Sequence, residues 1–240
     1  GELGVPFVLS LPLSGCMAAL LGMVVGIPSL RLKGLYLALG TLAFGFITVL
    51  VFGIWSGIEP LDTRLTWILE TMPVMLALPV ILLTYKRFPL THLAYTLIAI
   101  HAVILMLGAH YSYAKVPLGF WMEEWFGWTR NNYDKIGHVM QGFGPAIYTR
   151  EILSRTSPLR RGKWLGFISI DVPLAFSALY EIVEWLASLS NPADTEAFLG
   201  TQGYIWDTQS DMFLCLAGSV IALILLTQLH NHYLLRIDRA

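Results

Sequence analysis

Asp134 and His138 stand four apart where an apolar run begins, Glu181 and Glu184 stand three apart within another, and Asp207 and Asp211 stand four apart where a third opens. On a helix, residues at these spacings share one face. A carboxylate beside an imidazole is equipped for acid–base work, with His138 as base or ligand and Asp134 as its orienter. Two carboxylates side by side repel unless one is protonated or a cation lies between them, so Glu181 and Glu184 read as an acid pair or a cation-binding pair. Imidazole and carboxylate oxygen also suit Zn²⁺ or Mn²⁺. The candidate ligands are His138, Glu181, Glu184 and Asp211, although their spacing matches no standard metal signature. Arg130 offers a cation to an anionic headgroup or phosphate. Blander readings stand beside these: Asp207 or Ser210 as a helix cap, a snorkelling Glu70 and a hydrogen-bonded His101 between helices.

These residues must be positioned by membrane helices. The chain has 240 residues, 56% hydrophobic and 13% charged, with mean hydropathy +0.65. Soluble domains are nearer a quarter charged. A bilayer core about 30 Å thick needs about 20 mostly apolar residues per crossing. Seven runs qualify, at roughly 6–29, 35–57, 65–84, 91–110, 135–153, 164–187 and 211–229. The expected fold is therefore all-α, a polytopic transmembrane bundle. A net charge of -1 leaves no basic surface for nucleic acid. Cys16 and Cys215 lie inside apolar runs and read as small core residues. The opening stretch, with Pro6, Pro12 and Gly15 and no basic region before it, is a poor signal peptide, and we expect a fragment or a processed chain.

Lys and Arg set the expected orientation. Arg31 and Lys33, then Lys86 and Arg87, then Arg155, Arg160, Arg161 and Lys163 fall in alternate connections, and Arg236 and Arg239 close the chain. The positive-inside rule then puts the C-terminus in the cytoplasm and the N-terminus outside. The opposite connections carry Glu59 and Asp62, Glu123 and Glu124, and Asp194 and Glu196, against Arg64, Lys115 and Arg130. This topology gathers Glu70, His110, Asp134, His138, Glu181, Glu184, Asp207 and Asp211 beneath the outer interface as an acidic cup with two imidazoles. The aromatic connection 111–134 predicts an interfacial helix around 118–127, either an aromatic belt or a lid over a lipid-facing cleft. Gly218 suits close packing of the last helix against a neighbour.

From residue 46 to about 229 the chain resembles the YjdF-type inner-membrane proteins, a bacterial family of unknown function. The likeness rests on Gly108-Ala-His110-Tyr111, on Arg130-Asn-Asn-Tyr-Asp134-Lys135-Ile-Gly-His138, on Ser177-Ala-Leu-Tyr180-Glu181-Ile-Val-Glu184-Trp185, and on Leu199-Gly-Thr-Gln202-Gly-Tyr-Ile-Trp206-Asp207-Thr-Gln-Ser-Asp211-Met212. It adds Tyr111, Tyr180, Gln202 and Trp206 to Arg130, His110, Asp207 and Asp211 as candidate substrate-binding residues. More distantly, Asp134, Lys135, His138, Glu181 and Asp211 are similar in order to the signature of VanZ-like membrane proteins, which implies a role near the cell-envelope surface. Met212, Phe213 and the Glu181-x-x-Glu184-Trp185 pattern depart from that signature. Residues 1–45, with Gly26-Ile-Pro-Ser-Leu-Arg31-Leu-Lys33-Gly at their centre, resemble a segment of LivM-type branched-chain amino acid permeases, as a fusion joined to a membrane domain over 46–240.

The leading expectation is a protein of the bacterial inner membrane whose outward acidic/His cup binds or modifies a lipid-linked or headgroup substrate, with a divalent metal as a possible cofactor. The alternatives are a proton- or cation-coupled transporter using Glu70, Glu181 and Glu184, with His101 and Asp171 as the only polar candidates towards the cytoplasm, and a permease fragment that needs an ATPase partner.

Overall fold

A computed structural model describes residues 35–190 and 202–237. The first apolar run, Arg31, Lys33, Asp194, Glu196 and Arg239 lie outside the described residues. The chain divides into a unit of Gly1–Phe44 and a unit of Gly45–Ala240. Helix α1 (Leu35–Ser56) begins in the first unit and ends in the second. The second unit also holds α2 (Arg64–Thr84), α3 (His92–Tyr111), α4 (Pro117–Phe126), α5 (Tyr133–Thr156), α6 (Lys163–Ser190) and α7 (Asp207–Ile237). The described residues contain helices and no strand. Each predicted run from 35–57 onward has its helix, and a short helix, α4, stands at the stretch expected around 118–127.

By length and apolarity α2, α3, α7 and Lys163–Leu186 of α6 can each cross a bilayer alone. Helix α5 has the length but not the composition, since it carries Asp134, Lys135, His138, Arg150, Glu151 and Arg155. Its solution is position: α5 is the inner helix, packed on α7, α6 and α3. A polar helix is least costly where its neighbours, rather than lipid, face its charges.

Small residues set how closely α5 and α7 approach. A Cβ on Gly142 would lie 1.8 Å from the Cys215 carbonyl oxygen, and one on Gly218 would lie 2.1 Å from that of Val139. The two backbones therefore touch, as small residues permit in lipid, and the close packing expected at Gly218 is present. Below this seam Ala146 and Ile147 of α5, Leu97 of α3 and Ala222 of α7 form an apolar core. A second core joins Val49 of α1 to Ala102 and Met106 of α3, with Val74 of α2 against it.

Connections sort onto two ends of this bundle. At one end Pro89 and Thr91, before α3, meet Arg155 and Glu151 near the close of α5 and His230 near the close of α7. Arg155, Arg160, Arg161, Lys86 and Arg87 lie in or beside these connections, and we call this the basic end. At the other, the acidic end, Asp62 accepts from Ser112, and the starts of α5 and α7 come together.

Candidate functional site

The acidic end holds an ion network across α5 and α7. Arg130 bridges Asp134 (2.5 Å) and Asp207 (2.8 Å). Lys135 Nζ bridges Asp207 and Asp211, at 2.6 Å each, with Asp134 at 3.4 Å. Asp207 and Asp211 are one turn apart at the start of α7, and Arg130, Asp134, Lys135 and His138 span the first turns of α5 and the residues just before it, so the Gly142–Gly218 seam brings two charged faces together. Asp211 presents its Oδ2 to His138 Nε2 at 3.6 Å, its Oδ1 being held by Lys135. Ligand atoms of His138, Glu181 and Asp211 all lie within 4.8 Å of one another, as do those of Asp134, Asp207 and Asp211. Glu181 is buried, and its Oε1 has no hydrogen-bonding partner among the described residues. Asp134, Asp207, Asp211 and Glu181 thus face Arg130, Lys135 and one imidazole.

A second layer locks this geometry. Asn131, 1% exposed, donates from Nδ2 to the Val116 carbonyl, and its Oδ1 accepts from the Tyr133 N–H. Gln202 completes the clamp: its Oε1 accepts from the Asn131 N–H and its Nε2 donates to the Asn131 carbonyl. Gly119 is required here, because a Cβ on it would lie 1.6 Å from Asn131 Oδ1. Gln202 adopts φ 47°, a left-handed conformation that costs a non-glycine residue about 1–3 kcal/mol and persists only where surroundings enforce it. The turn after it lays the Tyr204 ring over both cations, 5.6 Å from Arg130 and 5.7 Å from Lys135.

Beside the network a cleft of about 730 Å³ opens between the end of α4 and the starts of α5 and α7. Met122, Trp128, Ile136, Val139, Phe213 and Leu214 give it apolar walls, and Tyr204 closes one side. Arg130 and Lys135 line it, and among the described residues no carboxylate does. The acids stand behind the cations, so the cleft side is electropositive while the His138 side is acidic.

Of the residues expected from sequence, the structure gathers Arg130, Asp134, His138, Glu181, Asp207 and Asp211. Glu184 is one turn beyond Glu181, within electrostatic reach of Glu181, Asp211 and Glu70 but outside both candidate ligand sets. Tyr180 donates to the Leu69 carbonyl at 3.4 Å and so ties α6 to α2. Gln202 acts on Asn131 rather than on the cleft, and Trp206 is exposed. His110 and Tyr111 turn away to the α1–α2 connection. His110 Nδ1 lies 3.2 Å from the Ser56 carbonyl, its ring centroid is 4.2 Å from that of Trp55, and Tyr111 stands edge-on to it. Both residues lie in the last turn of α3, on the face that meets Trp55 and Ser56, and the chain reverses after them at Ser112 and Tyr113, both at positive φ. The Tyr113 ring takes the room left by Gly108, where a Cβ would be 2.4 Å away. Burial, with Glu70 and Tyr180 nearby, pushes the Tyr113 hydroxyl's ionisation well above the ordinary tyrosine range.

Residues 41–232 match a family described as "Predicted membrane protein (DUF2238)". The "Inner membrane protein YjdF" of Escherichia coli (strain K12) is 47% identical over 190 residues, which is 79% of this chain and 90% of that protein. The chain belongs to this family. It is a multi-pass protein of the bacterial inner membrane. No solved structure matches it. The family region begins at residue 41 and contains every residue of the network and the cleft.

The family region also holds a second polar cluster, at the basic end, outside the set expected from sequence. Glu151 Oε1 accepts from the Thr91 N–H (2.7 Å) and from Arg155 (3.0 Å), and its Oε2 accepts from the Thr91 hydroxyl (2.6 Å). His230 Nε2 lies 3.1 Å from that Oε2, and Arg150 donates to His230 Nδ1 at 2.8 Å and to Asn231 Oδ1 at 2.6 Å. Since a guanidinium only donates, Nδ1 must be the acceptor and Nε2 must carry the proton given to Glu151. His101 and Asp171 are therefore not the only polar groups towards this end. The available signal was the Arg150-Glu151 pair, with Arg155 one turn on, inside a run of membrane length.

Proposed function

We propose that the cleft and the ion network behind it bind the phosphate-bearing headgroup of a lipid or lipid-linked substrate at the outward face of the inner membrane. The observation that carries this is the lining of the cleft: apolar walls with Arg130 and Lys135 and, among the described residues, no carboxylate. A lipid tail suits such walls, and guanidinium and ammonium donors suit phosphate oxygens. The carboxylates behind hold both cations in place before ligand arrives, which lowers the ordering cost of binding. Tyr204 over the two cations narrows the headgroup position further. His138, Glu181 and Asp211 do not line the cleft, so binding, rather than chemistry on the headgroup, is what this arrangement supports. The outward placement follows from the Lys/Arg bias of the opposite end.

Transport fits less well. The basic-end cluster supplies polar groups on the second side, but the Gly142–Gly218 seam between the clusters has backbone against backbone and no room even for a methyl group.

Native mass spectrometry of the protein released from membranes tests the headgroup reading. Wild type should retain phosphate-bearing lipid. Arg130→Gln should retain about tenfold less, the loss of a charge-assisted contact worth roughly 1.5 kcal/mol. Ser210→Trp, which fills the cleft without altering any charged residue, should abolish retention. Equal retention by all three proteins would sink the proposal.

A further inference from the structure

We infer that His138, Glu181 and Asp211 form a binding site for a first-row divalent cation, Mn²⁺ or Zn²⁺, on the side of the network away from the lipid cleft. This inference stands apart from the headgroup reading, and its test uses no lipid.

Three observations meet here. The first is the distance between His138 Nε2 and Asp211 Oδ2, 3.6 Å. That is too long for a good hydrogen bond. It is close to the roughly 3.3–3.4 Å that separates two donors each about 2.0–2.1 Å from one tetrahedral ion. The second is Glu181, 8% exposed, whose Oε1 has no partner among the described residues while a ligand oxygen of the same residue lies within 4.8 Å of the other two donors. A buried carboxylate oxygen left unmatched is costly unless a proton or a cation meets it. The third is charge. Arg130 and Lys135 make their ion pairs with Asp134, Asp207 and Asp211, and Lys135 acts on Glu181 as a nearby charge rather than as an ion-pair partner.

The chemistry of the donors selects the ion. One imidazole and two carboxylates suit Mn²⁺ and Zn²⁺, and three protein ligands leave a position open for water or a ligand oxygen. Two ligands are braced: Lys135 holds Asp211 Oδ1 at 2.6 Å, leaving Oδ2 to face His138, and Thr208 hydrogen-bonds Glu181. Among the described residues His138 Nδ1 lacks the acceptor that usually fixes a ligating ring. Affinity should therefore be about 10–100-fold below that of a fully braced site.

The test is Mn²⁺ alone, added to the full chain in lipid-free detergent, read by pulsed electron paramagnetic resonance for coupling to an imidazole nitrogen and by titration for stoichiometry. We expect one Mn²⁺ per chain with nitrogen coupling. Glu181→Gln and Asp211→Asn should each weaken binding at least about tenfold, as a lost ligand exceeds a lost brace, and His138→Asn should remove the nitrogen coupling. Thermal unfolding of each variant without metal reports whether it folds, so that any one that fails leaves the other two to decide. Folded wild type that takes up no Mn²⁺ overturns the inference. So does Mn²⁺ bound without nitrogen coupling, or coupling that survives in folded His138→Asn.

Discussion

The two ends of α5 solve the same problem in opposite ways. At the basic end, Glu151 and His230 are fully buried, and Thr91, Glu151, His230, Arg150 and Asn231 pair with one another in an unbroken chain of hydrogen bonds. At the acidic end, carboxylates outnumber the cations of the network, Glu181 keeps an unmatched oxygen, and a cleft opens alongside. Both clusters lie on the same seam of α5 and α7. The difference separates work: a satisfied network joins α3, α5 and α7, whereas an unsatisfied one beside a cleft is left ready for a ligand. Natural proteins tend to place such local cost at sites of function.

Breaking the satisfied end should cost most. Glu151→Ala leaves His230 and both Thr91 donors without their acceptor and takes from Arg155 one of its two, and should lower stability by about 3–5 kcal/mol in reversible detergent unfolding. Glycine at the seam comes next. Gly142→Leu must push α5 off α7 and should cost about 1–3 kcal/mol or more, with lipid retention lost as well because both clusters ride on this contact. Asn131→Ala removes two side-chain hydrogen bonds of the clamp and should cost about 1–2 kcal/mol. Hydrogen exchange should then speed up in α4 and in the turn at 202–206, with α3 unchanged. The smallest effect should come from Asp211→Asn, within about 0.5 kcal/mol of wild type, because the variant loses a bond to Lys135 but also a crowded negative charge.

Much of this was legible in the chain. Hydropathy gives the helices, and aromatic crowding gives α4. The spacing of Asp134 with His138 and of Asp207 with Asp211 gives two charged faces, and Gly218 gives one reason that they meet. The basic-end network was not legible, because Glu151 and His230 are 79 residues apart and their polarity is averaged away inside runs of membrane length. His110 and Tyr111 show the opposite difficulty. Depth puts His110 in the cup and sequence neighbourhood puts Tyr111 beside it, yet the face of α3 that carries them meets Trp55 and Ser56 instead. Tyr204 and Asn131 matter through loop geometry, which no spacing rule reports. The sequence singles out Lys135 only through the VanZ-like order, and its part in the network shows once Asp207 and Asp211 are seen on either side of its ammonium group.

The most direct test of a structural end and a functional end is a matched pair of isosteric changes, Glu151→Gln and Glu181→Gln, with reversible unfolding of both in the same detergent with a chelator present, so that no bound metal adds to the stability of wild type. Glu151→Gln turns one end of a carboxylate from acceptor to donor among groups that all donate, and should lose about 1–3 kcal/mol. Glu181→Gln removes a like charge beside Asp211 and keeps an oxygen for Thr208, so its stability should equal or exceed that of wild type. Equal losses in the two variants would contradict the division, and a larger loss in Glu181→Gln would reverse it.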